Sequence, residues 1–257
     1  MTRQATLTAR AGTRPRYTCT MANSSLTDWF RTPLGLAVLE REQQVLDETL
    51  ADIFGYHAVQ VGLPALPLLR ASRIAHRMQV GAYGPADLLA LAHELPFASQ
   101  SIDLIVLPHV LEFAESPHAI LREIDRVLVP EGRLVLTGFN PLSLWGLRQA
   151  LDWSRDEHPW DGNFVSLPRV KDWLALLGLE VSAGRLWHYG LPVASSQWRG
   201  RFAFLEKAGD RWWGVAGGVY MLEAIKRVSA MRLVQPRWVV RKRPLVSAVR
   251  TVRASNE

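Results

Sequence analysis

Between Ile102 and Thr137 the hydrophobic pattern of this chain changes period twice. Ile102–Leu107 is a short, nearly unbroken apolar run, which predicts a strand buried on both faces. Ser116 and Pro117 predict a helix start: an N-cap residue, then a proline whose missing N–H costs nothing in the first turn. Ile120, Ile124, Val127 and Leu128 then recur at helical spacing, with Arg122, Glu123, Asp125 and Arg126 on the opposite face. Pro130-Glu131-Gly132 predicts a stop and a turn, and Arg133–Thr137 predicts the next strand. A helix joining two buried strands implies a parallel sheet covered on both faces, with ligands at the carboxyl ends of its strands.

The pattern extends in both directions. Pro33–Ile53 predicts a helix with Leu36, Leu39, Val45, Leu46, Leu50 and Ile53 inward, Glu40, Arg41, Glu42 and Asp47 outward, and Gly55 as its stop. His57–Val61 reads as the first strand, Leu66–Ile74 as a crossover helix and His76–Val80 as a second strand. After a turn at Gly81–Pro85, Ala86–His93 fits either a short strand or a helical turn. The segment 145–168 is loop-rich and aromatic and reads as a substrate-side insertion. Val170–Leu177 predicts a helix stopped by Gly178, Leu179–Trp187 a sixth strand and Gly217–Lys226 a seventh.

Composition narrows the class. A chain of 257 residues with 48% apolar residues can bury one α/β core. Its single cysteine, Cys19, permits no internal disulfide and suits a reducing, cytoplasmic setting. Histidines 57, 76, 93, 109, 118, 158 and 188 show no metal-ligand spacing, so no metal site is expected. The longest uncharged run, Ile53–Leu69, is broken by Gly55, Gly62, Pro64 and Pro67 and is too short to span a bilayer. The N-terminus has no apolar run of secretory type. Charge is unevenly placed: residues 1–27 carry +4 and residues 224–257 carry +8, which leaves −6 for the body between them. We expect polar tails at 1–25 and 231–257 flanking one domain at 26–230. Such basic ends attract nucleic acid or anionic partners, or simply aid solubility.

Several ordered elements resemble one family. Leu95-Pro96-Phe97, Ile102-Asp103-Leu104-Ile105-Val106, His109-Val110-Leu111-Glu112, Leu121-Arg122-Glu123 with Arg126-Val127-Leu128, and Pro130-Glu131-Gly132 resemble the second half of class I S-adenosylmethionine-dependent methyltransferases of the type 11 group. That resemblance implies a seven-stranded, mostly parallel, doubly wound Rossmann-like methyltransferase fold. In it the seventh strand runs antiparallel between the fifth and sixth. It also implies S-adenosylmethionine as cofactor and a small-molecule acceptor.

The donor half departs from the family. Where an acid and G-x-G-x-G are usual, this chain has Gln60-Val61-Gly62-Leu63-Pro64-Ala65-Leu66. Gln60 replaces a charge with an amide, Pro64 removes a backbone donor, and Leu66 adds bulk. No acid ends the second strand, and the usual adenine-contacting Asp falls at Leu91, beside the Leu95 turn. Two readings stay open. In one, Gln60, Gly62 and Leu95 with Gln79, Asp87 or Glu94 hold the cofactor by other means. In the other, the fold has lost it and serves as a binding protein. On the acceptor side the resemblance places His109 as a general base oriented by Glu112, or as a wall residue. Asn140, Phe139 and Trp145, with Trp153 and Trp160, are the candidate acceptor contacts, or ordinary turn and core residues.

Overall fold

The computed structural model describes residues 26–151, 159–190 and 215–228. The basic ends, expected as tails that could meet nucleic acid, and Trp153 lie outside the described residues. The strands are β1 (His57–Val61), β2 (His76–Gly81), β3 (Leu88–Leu89), β4 (Ile102–Pro108), β5 (Leu128–Phe139), β6 (Leu179–Trp187) and β7 (Val219–Lys226). The helices are α1 (Pro33–Leu50), α2 (Pro117–Val127), α3 (Leu144–Leu151) and α4 (Leu167–Leu176). One sheet runs in the order β3-β2-β1-β4-β5-β7-β6. β1, β2, β3, β4 and β5 pair in parallel, and β7 runs antiparallel to both of its neighbours. This is the expected seven-stranded, doubly wound sheet. The order reverses between β1 and β4, so the switch point lies at the carboxyl ends of those two strands.

Side chains alternate across the strands and divide the core in two. Val59, Val61, Ile105, Leu107, Leu134 and Leu136 pack with α2 and α4 residues such as Ile124 and Leu174. Ala58, Leu104, Val106 and Val135 face the other way, towards Val38, Val45 and Leu46 of α1. Thr32 caps α1 by accepting the Gly35 N–H at 3.1 Å, and Pro33 occupies its first turn.

Five local expectations need correction. Leu66–Ile74 is a series of turns, not a helix, because Pro64 and Pro67 interrupt it and a buried side chain takes over its backbone bonding (below). α1 ends at Leu50, and Gly55 is not its cap: a Cβ there would lie 2.4 Å from that of Asp103, whose carboxylate accepts the Tyr56 and His57 N–H groups at 2.9 Å. Pro130–Gly132 does not separate helix from strand. β5 begins at Leu128 and carries these residues in a register shift between its pairs with Ile102 and Leu104. Ser116 makes no side-chain cap. The expected insertion opens with helix α3, and α4 begins at Leu167, ahead of Val170.

The inward face of α1 also differs. Leu36 is 46% exposed, whereas Glu42, expected in solvent, is 1% exposed. Glu42 lies on the same stripe as Val38, Val45 and Leu46, at helical spacings. A carboxylate buried there needs a partner, and the sheet supplies one.

Candidate active site

His109 follows directly after β4, at the switch-point end, with φ 47°. A positive φ is cheap for glycine and costly for a residue with a side chain, so this turn stores about 1–3 kcal/mol of strain. Its ring is fully buried. Nε2 lies 3.3 Å from Glu42 Oε2 of α1, and Nδ1 lies 3.3 Å from Glu112 Oε1. Burial by itself would lower the imidazole pKa. The two carboxylates outweigh it and raise the value to about 10. His109 is therefore a cation at neutral pH with both nitrogens engaged. With both nitrogens facing carboxylates, neither is turned towards an incoming acceptor in this arrangement.

The carboxylates are themselves held. Thr137 of β5 donates its hydroxyl to Glu42 Oε1 at 2.6 Å, and the Phe139 N–H donates to Glu112 Oε1 at 2.7 Å. Glu112 Oε2 is buried without a hydrogen-bond partner. Tyr220 donates its hydroxyl to the Val165 carbonyl at 3.1 Å. Burial, and then the Glu112 charge, push its phenol pKa well above the usual range. Glu112 thus contacts His109 as one half of a two-carboxylate clamp.

Around this cation stands an aromatic shell. The Phe139 ring centroid is 4.2 Å from that of His109. Trp145 stacks on Phe139 at 5.9 Å, and Phe164 stacks at 5.1 Å. Trp29 meets Phe139 edge-on at 5.8 Å, and Trp160 lies 5.8 Å from Trp145. Phe139, Trp145 and Trp160 are buried and belong to the core. Trp145 donates its indole N–H to the Gly190 carbonyl at 3.2 Å. Asn140 donates to the carbonyls of Val215 and Gly217 at 2.9 Å each and accepts the Leu142 N–H at 3.1 Å. The structure thus brings His109, Phe139, Asn140 and Trp145 to one end of the sheet. It spends Asn140 and the two aromatic rings on internal packing.

The donor side is closed as well. Gln60 is fully buried. Its Nε2 lies within 3.1 Å of three carbonyls, those of Gly62, Leu63 and Leu66, and its Oε1 accepts the Leu68 N–H at 3.1 Å. One amide thus replaces the missing helical ladder of residues 62–68. Gly62 (φ 92°) and Leu63 (φ 47°) make the turn. A Cβ on Gly62 would sit 2.6 Å from Val110 Cγ2, and one on Gly81 would sit 2.9 Å from Pro64 Cγ. Arg70 ties the segment to α1 by donating to Asp47 at 2.6 Å and to Gln43 at 3.0 Å.

The other proposed contacts divide between β2, beside Gln60, and the Glu94–Leu95 segment. Asp87 accepts the Gln79 N–H at 2.8 Å, and Gln79 is the register partner of Gln60 on the neighbouring strand. Glu94 is exposed in a turn and bridges to Leu91. Leu95 is bound to α2: its N–H donates to Glu123 at 2.8 Å, and its carbonyl accepts from Arg126 at 3.1 Å. In this conformation the donor side does not fit S-adenosylmethionine in the family's manner. The position of the ammonium-binding acid is an uncharged amide whose nitrogen and oxygen are both bonded within its own loop, and Pro64 covers the end of β2.

Sequence reasoning missed Glu42 and Thr137. The signal for Glu42 was its place on the Val38–Val45 stripe. Thr137 carried none, since a threonine ending a strand is common.

Comparison with known proteins agrees with the architecture. A family model described as a methyltransferase domain matches residues 54–136. The chain is 35% identical over 162 residues to the uncharacterized protein YafS of Escherichia coli K12, covering 62% of this chain and 68% of that one. It is 36% identical over 88 residues to the malonyl-[acyl-carrier protein] O-methyltransferase of Laribacter hongkongensis, covering 32% of this chain and 30% of that protein. A S-adenosylmethionine-dependent methyltransferase structure from Archaeoglobus fulgidus superposes with a TM-score of 0.53 at 16% identity, over 73% of this chain and 94% of that one.

Proposed function

We propose that this chain, which belongs to the type 11 group of class I S-adenosylmethionine-dependent methyltransferases, transfers a methyl group to a small-molecule acceptor. The observation that carries this reading is the Glu42–His109–Glu112 cluster at the carboxyl end of β4. A buried cation between two carboxylates, set on a strained turn at the switch point, costs desolvation and backbone energy that a purely structural sheet end does not need. Perturbed titratable groups of this kind concentrate at functional sites. His109 acts there as a fixed positive charge that positions Glu112 and ties α1 over the strand ends. Methyl transfer depends chiefly on alignment of donor and acceptor, so the absence of a free base is compatible with it. In the conformation described, Gln60 is bonded within segment 62–68 and Pro64 packs against Gly81 at the end of β2.

One observation favours a second reading. Gln60 has spent every hydrogen-bonding group on its own loop, as expected of a methyltransferase-like binding protein that no longer takes a cofactor. The acceptor named for the Laribacter hongkongensis relative does not carry over, because the match spans less than a third of that protein. No described helix is long and apolar enough to cross a membrane.

Calorimetry with S-adenosylmethionine and S-adenosylhomocysteine separates the readings, on the wild type and on Pro64→Gly. The methyltransferase reading expects saturable binding to the wild type and tighter binding to the variant. Absence of heat from both proteins at roughly millimolar ligand, more than a hundred times a micromolar Kd, overturns it in favour of the second. Binding without transfer of labelled methyl to any component of a small-molecule extract does the same for catalysis.

A further inference from the structure

A second feature lies at the same end of the sheet, between α1 and β6. Arg41 and Val45, one helical turn apart on α1, face Arg185, Leu186 and Trp187 of β6 and the following Tyr189 across a groove of about 340 Å³. That volume falls in the range of small-molecule sites. Its apolar lining comes from the side chains of Val45 and Trp187. The charged groups are the two guanidiniums, which carry N–H donors and no acceptor. Trp187 is 4% exposed, and its Nε1 is buried without a hydrogen-bond partner. An orphaned buried donor is costly, and a ligand acceptor would relieve it.

The guanidiniums are only partly committed. Arg41 donates one N–H to Gln44 at 3.1 Å, and Arg185 pairs with Glu48 on the exposed surface. Each keeps further N–H groups in the planar fork that matches a carboxylate or phosphate. Glu48 offsets one of the two positive charges, so the groove is left with a single excess positive charge.

The groove is also near the proposed centre. Trp187 pairs with Val219, and Val219 pairs with Phe139. Two strand spacings, about 10 Å, therefore separate the groove from the ring that packs on His109. Arg41 precedes Glu42, so the helix that closes on His109 also lines the groove.

We propose that this groove binds an organic anion, a carboxylate or phosphate on a flat apolar body, and that this is the chemical class of the acceptor. The assignment of the ligand as acceptor rests on the methyltransferase reading, whereas the binding itself does not. Benzoate and phenyl phosphate are the probes, with benzyl alcohol as the uncharged control. Binding is read from the ¹⁵N-indole resonance of Trp187, assigned by its loss in Trp187→Phe. The measurement is made without cofactor, so its failure is distinct from failure of the S-adenosylmethionine titration.

A saturable shift of the Trp187 resonance with either anion is expected, and which anion binds tighter tells carboxylate from phosphate. Arg41→Gln should weaken it about tenfold, the equivalent of about 1.4 kcal/mol. Arg41 is exposed, and among the described residues its side chain bonds to exposed Gln44, so this variant should fold. Equal binding of benzyl alcohol, no saturation, or unchanged affinity in Arg41→Gln would each overturn the proposal. Anion binding in a protein that takes no S-adenosylmethionine would keep the groove and remove its role as acceptor site.

Discussion

The charge state of His109 can be tested through stability. Its imidazole has an ordinary pKa of 6.5 and a folded value of about 10. Between those values the folded state binds more protons than the unfolded chain. The stabilisation is therefore complete below about pH 6.5 and is lost as pH rises towards about 10. At about 1.4 kcal/mol per unit, the window is worth about 5 kcal/mol, the upper end of what breaking a buried ion pair costs. Urea unfolding of the wild type from about pH 6.5 to about pH 9.5, below the range of ordinary tyrosine, should show stability falling steadily. His109→Gln should start less stable and lack this fall. Glu42→Gln removes one of the two carboxylates while keeping an acceptor for Thr137, and should move the window to lower pH. Parallel curves for the wild type and His109→Gln would refute the buried cation. Should His109→Gln not fold, the imidazole nitrogen shifts of the wild type near pH 8 decide the matter, because a neutral ring there is equally fatal.

Other perturbations probe the closed donor side and the aromatic shell. Gln60→Ala leaves the Leu68 N–H and three carbonyls without their buried partner, so a loss of about 2–4 kcal/mol in urea unfolding is expected; a change within error would show that the amide does not hold the loop. Gly218→Ala places a methyl carbon 2.4 Å from Trp145 Cδ1. It should cost about 1–3 kcal/mol through displacement of the ring, read from the melting temperature, and an unchanged value would place Trp145 elsewhere. Asn140→Ala removes three internal hydrogen bonds and should destabilise by about 1–3 kcal/mol. If it instead leaves stability intact and lowers methyl transfer, the side chain serves the acceptor and not the turn.

Much of the sheet was legible in the chain. The unbroken apolar run at Ile102–Leu107 and the helical spacing of Ile120, Ile124 and Val127 fixed β4 and α2, since buried parallel strands and amphipathic helices each impose a period on their own residues. The placement of β7 between β5 and β6 followed from family resemblance and not from any local signal. Only the tertiary structure showed what the altered residues do. Gln60 looked like a weakened cofactor contact, yet its partners are carbonyls from its own loop. That bonding pattern also explains why Leu66–Ile74 forms no helix despite its apolar residues. Glu42 looked like a solvent-facing acid, and His109 like either a base or a wall residue. Neither environment could be read from the chain alone, because the charge state of a buried group is set by what faces it across the core. Here Glu42 and His109 are 67 positions apart in the chain and 3.3 Å apart in space, a distance no local pattern encodes.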